Sequence, residues 1–313
     1  MEKIRISVVG VGHLGFHHAR VLSEIEDAHL IGVYDIDKER AKEVAKHWNC
    51  NPFSSLEELL NEVDAVSCAV PTKEHYKVGK LILEGGKHLF LEKPMATTLE
   101  EAQELSKIAK EKRVKFQIGH IERFNPAVLA VRDIIRNPKF VESHRLAPYN
   151  PRGTDVDVVL DLMIHDLDLI LTYVKSKPIR VDAVGIPVLT DKIDIANVRI
   201  EFEEGEIANV TASRVSVEKM RKIRMFQKDT YISIDYLRKE VEVYIKRDEV
   251  ILPYFPLVDK DKEPLRLELE GFIKAIMEDA DPPVTGEEGL KALSLAFWVK
   301  EGIKERLQKV RLD

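Results

Sequence analysis

The chain begins with a short apolar strand that runs directly into three glycines at fixed spacing. Residues Lys3–Val9 are rich in β-branched side chains, and Gly10, Gly12 and Gly15 follow in the pattern Gly-x-Gly-x-x-Gly. In such a turn the first glycine permits the sharp bend, the second lets the backbone approach a pyrophosphate, and the third lets the next helix pack closely. The N-terminus of that helix then faces the anion. This segment predicts a dinucleotide-binding fold for the first part of the chain.

An acidic residue follows the second predicted strand and bears on the choice of cofactor. The strand Ala28–Tyr34 ends in Asp35, about 20 residues beyond Gly15, where a carboxylate can accept a hydrogen bond from a ribose 2′-hydroxyl. The same carboxylate would repel a 2′-phosphate, which favours NAD. Arg40 is close enough in sequence to pair with such a phosphate, so NADP remains an alternative.

Strand and helix patterns alternate up to about residue 120, which is typical of a doubly wound parallel sheet. Predicted helices over 126–136 and 155–174 are followed by many short strands, which favour an open antiparallel sheet covered on one face. We therefore predict an α/β chain with a dinucleotide-binding Rossmann domain at 1–120 and a substrate-binding and oligomerisation domain at 121–313. The C-terminal helix of the second domain is expected to pack back on the first.

Composition excludes several other classes of protein. The 313 residues are 44% hydrophobic, without an apolar run long enough to span a bilayer, and the net charge of -6 argues against nucleic-acid binding. Cys50 and Cys68 lack metal-ligand spacing and are compatible with a reducing cytoplasm, so we expect a cytoplasmic protein without a metal site. The N-terminus runs directly into the first strand with charges at Glu2, Lys3 and Arg5, so we expect no signal peptide.

Two further segments lie at the carboxyl ends of predicted parallel strands, where ligands bind in such sheets. They are Val70-Pro71-Thr72, followed by His75, and Glu92-Lys93-Pro94. The Lys93 ammonium would lie at the nicotinamide end of the cofactor, although a surface lysine that ends a strand is an equally good interpretation of the spacing. Pro94 can adopt the cis form. The predicted cofactor-binding residues are Gly10, Gly12, His13, Leu14, Gly15, Asp35, Arg40, Val70, Pro71, Thr72, His75, Glu92, Lys93 and Pro94.

The third candidate is an acid and a histidine one helical turn apart. Asp161 and His165 share a face if residues 155–174 are helical, so His165 could accept a proton while Asp161 orients it. The surrounding run is apolar on nearly all sides, which favours partly buried groups over a solvated helix face. Arg123 and Asn125, at the domain junction, could reach the substrate or act only as satisfied polar groups in a hinge.

Taken together, these motifs resemble the Gfo/Idh/MocA oxidoreductases, which include glucose-fructose oxidoreductase and inositol dehydrogenase. The resemblance covers essentially the whole chain and implies NAD(P)-linked redox chemistry at a sugar or cyclitol carbon. It also implies a homodimer or homotetramer assembled through the C-terminal sheet. Lys93, Asp161 and His165 match the family's catalytic lysine, aspartate and histidine, and we expect them to converge beside the nicotinamide. Met163 departs from the family, which commonly has glycine there.

A narrower resemblance, carried by residues 121–127 and 161–166, is to the branch that oxidises the 3-hydroxyl of UDP-N-acetylglucosamine. It implies that Arg123 and Arg152 hold the UDP diphosphate, because the guanidinium fork matches phosphate oxygens. Three alternatives remain open: an inositol or simple-sugar dehydrogenase, a reductase of another carbonyl such as a biliverdin-type tetrapyrrole, and a non-catalytic NAD(P)-binding regulator. Lys93 and His165 favour an enzyme over a regulator, and Asp161 and His165 favour a polyol over a tetrapyrrole.

Overall fold

The computed structural model describes residues 2–150 and 156–309. Strands and helices alternate over residues 2–121, as the sequence predicts. In this part the strands are β1 (Ile4–Val9), β2 (Ala28–Tyr34), β3 (Asn51–Pro52), β4 (Ala65–Cys68), β5 (His88–Glu92) and β6 (Phe116–Gly119). The helices are α1 (His13–Glu24), α2 (Lys38–His47), α3 (Leu56–Glu62), α4 (His75–Glu84) and α5 (Leu99–Lys112).

Strands dominate the described residues from 122 to 262. A 3-10 turn over Ile121–Phe124 leads into the short helix α6 (Pro126–Leu129), and a π-helical turn over Val159–Met163 leads into α7 (Ile164–Tyr173). The strands are β7 (Phe140–Leu146), β8 (Pro178–Ile186), β9 (Ile195–Phe202), β10 (Ile207–Ser213), β11 (Met220–Gln227), β12 (Thr230–Asp235), β13 (Glu240–Arg247) and β14 (Val250–Tyr254). Helices α8 (Pro264–Met277) and α9 (Gly286–Leu307) complete the fold.

The chain divides into two compact units. The first contains the residues up to Ile121 together with Glu263–Leu290, and the second contains Glu122–Lys262 and the chain from Lys291 onward. In the first unit all strands are parallel in the order β3-β2-β1-β4-β5-β6. This is the doubly wound order in which the direction of strand addition reverses beside β1, and ligands bind there beyond the strand ends.

Helix α8 covers part of the parallel sheet. Its buried residues Leu269, Phe272 and Ile273 join a core with Ile6 and Val8 of β1, all at most 1% exposed. The return of residues 263–290 to the first unit therefore buries apolar surface that the helices between β1 and β6 leave open. Burial of this kind is the main favourable contribution to folding.

The second unit is built on an eight-stranded sheet in the order β14-β13-β12-β11-β7-β10-β9-β8. Its pairs are antiparallel except β7 with β10, which are parallel. Parallel neighbours need a crossover connection, and the chain between β7 and β10 contains α7, which packs against β10. The prediction of a parallel sheet followed by a mainly antiparallel one is confirmed.

Two local predictions differ from the structure. The helix predicted over 126–136 is a single turn, Pro126–Leu129, which Asn125 caps at its start, and hydrogen-bonded turns follow over 130–134. The helix predicted over 155–174 starts later and begins with a π-helical turn, Val159–Met163. There the N–H of Ile164 reaches the carbonyl of Val159, five residues back, which adds one residue to the turn that carries Asp161.

Candidate active site

The glycine turn has the geometry that its spacing predicts. Gly10 adopts φ +81°, and a Cβ placed there would lie 2.8 Å from the Val70 backbone nitrogen. A Cβ at Gly15 would overlap the carbonyl oxygen of Gly10. The left-handed backbone favours glycine at the first of these positions, and the close helix–strand approach requires it at the second. Both glycines therefore shape the turn and leave contact with a ligand to the residue between them.

The space around Gly12 is open, whereas Gly10 and Gly15 are closely packed. A Cβ at Gly12 would meet no protein atom within 4 Å, so the backbone at the start of α1 is uncovered there. No side chain caps this helix, and its first turn carries no acid. His13 and Leu14 form the exposed first turn. Since uncapped N–H groups and the helix dipole attract anions, this end of α1 fits a pyrophosphate.

Asp35 and Arg40 hold the turn from the side. The Asp35 carboxylate accepts hydrogen bonds from the N–H of Val11 at 2.7 Å and of Asp37 at 2.9 Å. Nε of Arg40 donates to the carbonyl of Val11 at 3.1 Å. Each carboxylate oxygen has a second lone pair, so Asp35 can still accept a hydrogen bond from a ribose hydroxyl. Arg40 also pairs with Glu43, on the same helix α2, at 2.8 Å.

The loops after β4 and β5 are joined by a buried histidine. Nδ1 of His75 lies 2.8 Å from the carbonyl oxygen of Pro94, and Nε2 lies 2.9 Å from that of Val70. Both partners are acceptors, so the ring donates to both only in its doubly protonated form. Pro71 and Thr72 lie between these contacts in sequence. His75 thus ties the loop at the end of one strand to the loop at the end of the next.

Lys93 lies in a local network of charged and polar groups. The Lys93–Pro94 peptide is cis, the form that the sequence analysis left open for Pro94. Glu92 faces Nε2 of His18 at 3.1 Å, and Nδ1 of His18 lies 2.8 Å from the Ser67 hydroxyl. Burial disfavours ionised Glu92, but the hydrogen bond from His18 and the nearby charge of Lys93 outweigh it. The pKa of Glu92 therefore lies below its usual range, and the carboxylate remains charged beside Lys93.

The open surface at Gly12, the uncapped end of α1 and the acid at the end of β2 fit NAD. The nicotinamide half of the cofactor would lie at the carboxyl ends of β4 and β5. The predicted cofactor-binding residues there are Val70, Pro71, Thr72, His75, Glu92, Lys93 and Pro94, and their contacts with the cofactor stay a prediction.

In the second unit, Asp161 and His165 lie on successive helical turns of different pitch. Asp161 belongs to the π-helical turn, whereas His165 is the second residue of α7. The Asp157 carboxylate starts the segment by accepting hydrogen bonds from the N–H groups of Val159 and Leu160, each at 3.1 Å. Both Asp161 and His165 are partly exposed. Their partial burial agrees with the prediction of partly buried polar groups on an apolar background, while their catalytic roles stay a prediction.

The residues around α7 include a fully buried ion-pair cluster. Arg145, 1% exposed, donates two hydrogen bonds to Asp166, from Nε at 2.7 Å and from Nη2 at 3.1 Å, and one from Nη1 to Glu122 at 2.8 Å. Its guanidinium also lies 5.3 Å from the centre of the Tyr236 ring. Burial disfavours the charge on Arg145, but Asp166 and Glu122 outweigh it and raise the pKa of Arg145. Burial likewise opposes ionisation of Glu122, yet Arg145 holds the pKa of Glu122 below its usual range.

The predicted substrate residues Arg123 and Asn125 are engaged within the second unit. Arg123 forms a bidentate pair with Asp168, from Nε at 2.8 Å and Nη2 at 2.6 Å. Asn125 caps α6 through the N–H of Ala127 at 3.1 Å and donates to Glu122 at 3.2 Å. These contacts fit satisfied polar groups in a hinge, and a substrate role for either residue stays a prediction. Arg152 lies outside the described residues.

The sequence analysis missed Arg145 and Arg221. They are opposite each other on β7 and β11, and both lie on the strand face that carries the buried residues Val141 and Ile223. Arg221 lies 3.9 Å from Glu122 and is 34% exposed. Burial and the adjacent Arg145 lower the pKa of Arg221. The signal that could have identified them is the alternation of buried and exposed positions along a strand. An arginine at a buried position of such a strand requires an acidic partner.

The fold and the glycine turn define a protein with a dinucleotide-binding Rossmann domain. Comparison with protein families agrees: residues 4–120 match the family described as "Oxidoreductase family, NAD-binding Rossmann fold", and residues 134–234 match the C-terminal domain of the same family. The chain belongs to the Gfo/Idh/MocA family. The predictions of family, fold class, oxidoreductase activity and NAD as cofactor are confirmed.

Individual relatives cover the whole chain. UDP-N-acetylglucosamine 3-dehydrogenase of Acidithiobacillus ferrooxidans is 38% identical over 316 residues, which span 99% of this chain and 100% of that protein. The solved structure of that enzyme, GnnA, matches with a TM-score of 0.91 and covers 97% of this chain and 99% of its own. Myo-inositol 2-dehydrogenase of Thermotoga maritima is 25% identical over 334 residues, 99% of both chains.

Proposed function

We propose that this protein oxidises the 3-hydroxyl of UDP-N-acetylglucosamine, or of a closely similar nucleotide sugar, to a 3-keto sugar with NAD as the hydride acceptor. The observation that carries the proposal is the 38% identity to a UDP-N-acetylglucosamine 3-dehydrogenase along the full length of both chains. The described fold also matches that enzyme at a TM-score of 0.91, so this identity extends over both units.

The proposed chemistry divides among three side chains. His165 accepts the proton of the sugar hydroxyl because imidazole titrates near neutral pH, and Asp161 orients the ring. Lys93 polarises the same oxygen and stabilises its developing negative charge. NAD, when bound, accepts hydride from the carbon. Lys93 is the alternative base if its environment favours the neutral amine, and a pH–rate profile of wild type and the His165→Gln variant distinguishes the two assignments.

A second candidate activity is oxidation of an inositol. It is supported by the full-length match to the myo-inositol 2-dehydrogenase of Thermotoga maritima at 25% identity. Inositol carries no phosphate, so a site adapted to it needs no cation for a diphosphate. A panel of UDP-sugars, inositols and free sugars, assayed for NADH formation, therefore separates the two activities.

The decisive experiment is turnover by purified protein with NAD and UDP-N-acetylglucosamine, compared with the Lys93→Met variant. We expect turnover by wild type and a loss of at least about 1,000-fold in Lys93→Met, with little change in the Kd for NADH. Lys107→Met, at an exposed lysine on α5, is the matched control and should retain wild-type turnover. Full activity of Lys93→Met would contradict the role of Lys93, and turnover of inositols alone would contradict the nucleotide-sugar assignment.

The proposal includes self-assembly through the outer face of the eight-stranded sheet. Phe140, Phe226, Tyr231 and Tyr244 form a continuous aromatic row across four strands of this face, with ring centres 5.4, 5.0 and 6.0 Å apart. Phe226 is 36% exposed and Tyr244 is 41% exposed. An apolar row of this kind is suited to a partner surface. Light scattering tests the assembly: Tyr244→Glu should shift a dimer or tetramer toward a smaller species.

A further inference from the structure

Two buried arginine–aspartate ion pairs connect helix α7 to other segments of the second unit. Arg123, in the 3-10 turn before α6, pairs with Asp168 through two parallel hydrogen bonds of 2.8 and 2.6 Å. Arg145, on β7, pairs with Asp166 through bonds of 2.7 and 3.1 Å. All four side chains are at most 12% exposed. Two arginines from separate segments thus hold neighbouring positions of one helix.

These two positions flank His165 around the helix axis. An α-helix turns by about 100° per residue, so Asp166 projects about 100° to one side of His165 and Asp168 about 60° to the other. A rotation of α7 in either direction would stretch one of the two pairs. Because a bidentate guanidinium–carboxylate pair fixes both distance and plane, the two together oppose rotation in both senses.

We propose that Arg123 and Arg145 are positioning residues whose ion pairs fix the rotation of α7 and thereby the direction of the His165 ring. The inference rests on the proposed function for the catalytic role of His165. It reassigns Arg123, which the sequence analysis placed on the substrate diphosphate, because the two donors of its fork, Nε and Nη2, are directed at Asp168.

The surroundings of Arg145 support a positioning role. Glu122 accepts a third hydrogen bond from Arg145 at 2.8 Å, and Asn125 donates to Glu122 at 3.2 Å. Arg123 is the next residue after Glu122, so the same 3-10 turn contacts both pairs. A buried ion pair generally adds little net stability compared with an apolar replacement. A cluster that links one turn to two sides of α7 is therefore better explained by orientation than by stability.

The helix also needs such restraint at its start. Asp161 lies in the π-helical turn, whose wider hydrogen-bonded ring sets a different angle per residue from that of α7. The direction of His165 relative to Asp161 consequently depends on where α7 begins and how it is rotated. The two pairs are close to this junction, within the first turn and a half of α7.

The test compares Arg123→Gln, Asp168→Asn and the double variant, assayed with NAD and UDP-N-acetylglucosamine. Each single variant should lower kcat about 10- to 100-fold with KM changed no more than about twofold, because misplacement of a catalytic group affects the chemical step. The double variant should be no worse than the worse single one, since both remove the same pair. Arg123→Lys, which keeps the charge and loses the fork, should recover only part of the loss.

Glu206→Gln is the matched control for the loss of a buried charge. Glu206 is fully buried in the same unit and binds Lys139 at 2.7 Å and Ser176 at 2.6 Å, beyond the C-terminal end of α7. It should lower the melting temperature and leave kcat within about twofold. Wild-type kcat in Arg123→Gln would overturn the proposal. A raised KM in Arg123→Gln with normal kcat, absent from Asp168→Asn, would also overturn it and assign Arg123 to the substrate.

A second readout needs neither substrate nor cofactor. In protein labelled with ¹⁵N-histidine, the ring signals of His165, assigned with His165→Gln, should broaden or split in Arg123→Gln and stay unchanged in Glu206→Gln. If wild type fails to oxidise UDP-sugars but these signals change, the proposed function fails and the positioning role stands. If wild type is active and the signals in Arg123→Gln match those of wild type, the positioning role fails and the proposed function stands.

Discussion

The glycine turn of the first unit and helix α7 of the second unit hold their key residues by opposite means. In the turn, the backbone shape itself excludes side chains: a Cβ at Gly15 would overlap the Gly10 carbonyl oxygen. Around α7, side chains supply the geometry, because Arg145 must reach Asp166 from another element of the unit. The glycine turn therefore depends on the absence of Cβ atoms, whereas the arrangement around α7 depends on ion pairs between side chains of different elements.

The difference determines how each region responds to change. Steric exclusion in the glycine turn is insensitive to pH, and a Cβ added at Gly10 or Gly15 disturbs it. The ion pairs around α7 depend on charges removed from water, so losing one partner leaves the other charge buried without compensation. We therefore expect the second unit to be the more sensitive to charge substitutions and to acid, and the first to be the more sensitive to added volume.

The largest effect is expected at the centre of the ion-pair cluster. Arg145→Met keeps much of the side-chain volume but leaves Glu122 and Asp166 as buried, uncompensated acids, which should cost about 3–5 kcal/mol of unfolding free energy. Urea denaturation measures the loss. Arg224→Met, at a 41% exposed arginine paired with Glu142, is the control and should cost about 1 kcal/mol or less. Equal losses in the two variants would remove the distinction between buried and surface pairs.

A smaller effect is expected in the glycine turn. Gly15→Ala should lower the free energy of unfolding by about 1–3 kcal/mol, because the added methyl group forces α1 away from the turn. The Kd for NADH, measured by titration, should rise as well.

Gly12→Ala adds the same methyl where no protein atom lies within 4 Å, so stability should be unchanged while affinity for NADH falls about tenfold, or about 1.4 kcal/mol. Normal NADH affinity in Gly12→Ala would contradict the assignment of Gly12 to the pyrophosphate.

The smallest effect concerns acid sensitivity. Burial opposes ionisation of Glu206, but hydrogen bonds from Lys139 and Ser176 outweigh it and lower the pKa of Glu206 from 4.5 to about 2. A folded-state pKa below the unfolded value contributes stability above about pH 4.5 that disappears as the pH falls toward about 2. The difference in melting temperature between wild type and Glu206→Gln should therefore shrink over this range. Parallel curves for the two proteins would show that Glu206 is not responsible.

Much of the first unit could be predicted because its signals are local. The Gly10 turn, the end of β2 at Asp35 and the cis peptide before Pro94 each depend on the conformational rules of a few adjacent residues. The alternation of strand and helix patterns then leads directly to a parallel sheet, since parallel neighbours need crossovers.

The arrangement around α7 could not be predicted in the same way. The sequence shows that Arg123 supplies a positive charge. Only the fold shows that its guanidinium donates hydrogen bonds to Asp168, 45 positions away. Likewise the spacing of Asp161 and His165 predicts one α-helical face, whereas the structure places a π-helical turn at Asp161. Partner choice among many acids and arginines depends on which strands become neighbours, and the sequence pattern leaves that order open.

Short-range backbone sterics made the glycine turn predictable from the sequence alone, and the resemblance carried by several motifs indicated the family and the class of chemistry. Only the tertiary structure decided the order of the eight-stranded sheet, the return of residues 263–290 to the first unit and the ion pairs that hold α7. The physical reason is that burial and charge pairing act between residues distant in the chain. Their partners exist only after the chain has folded.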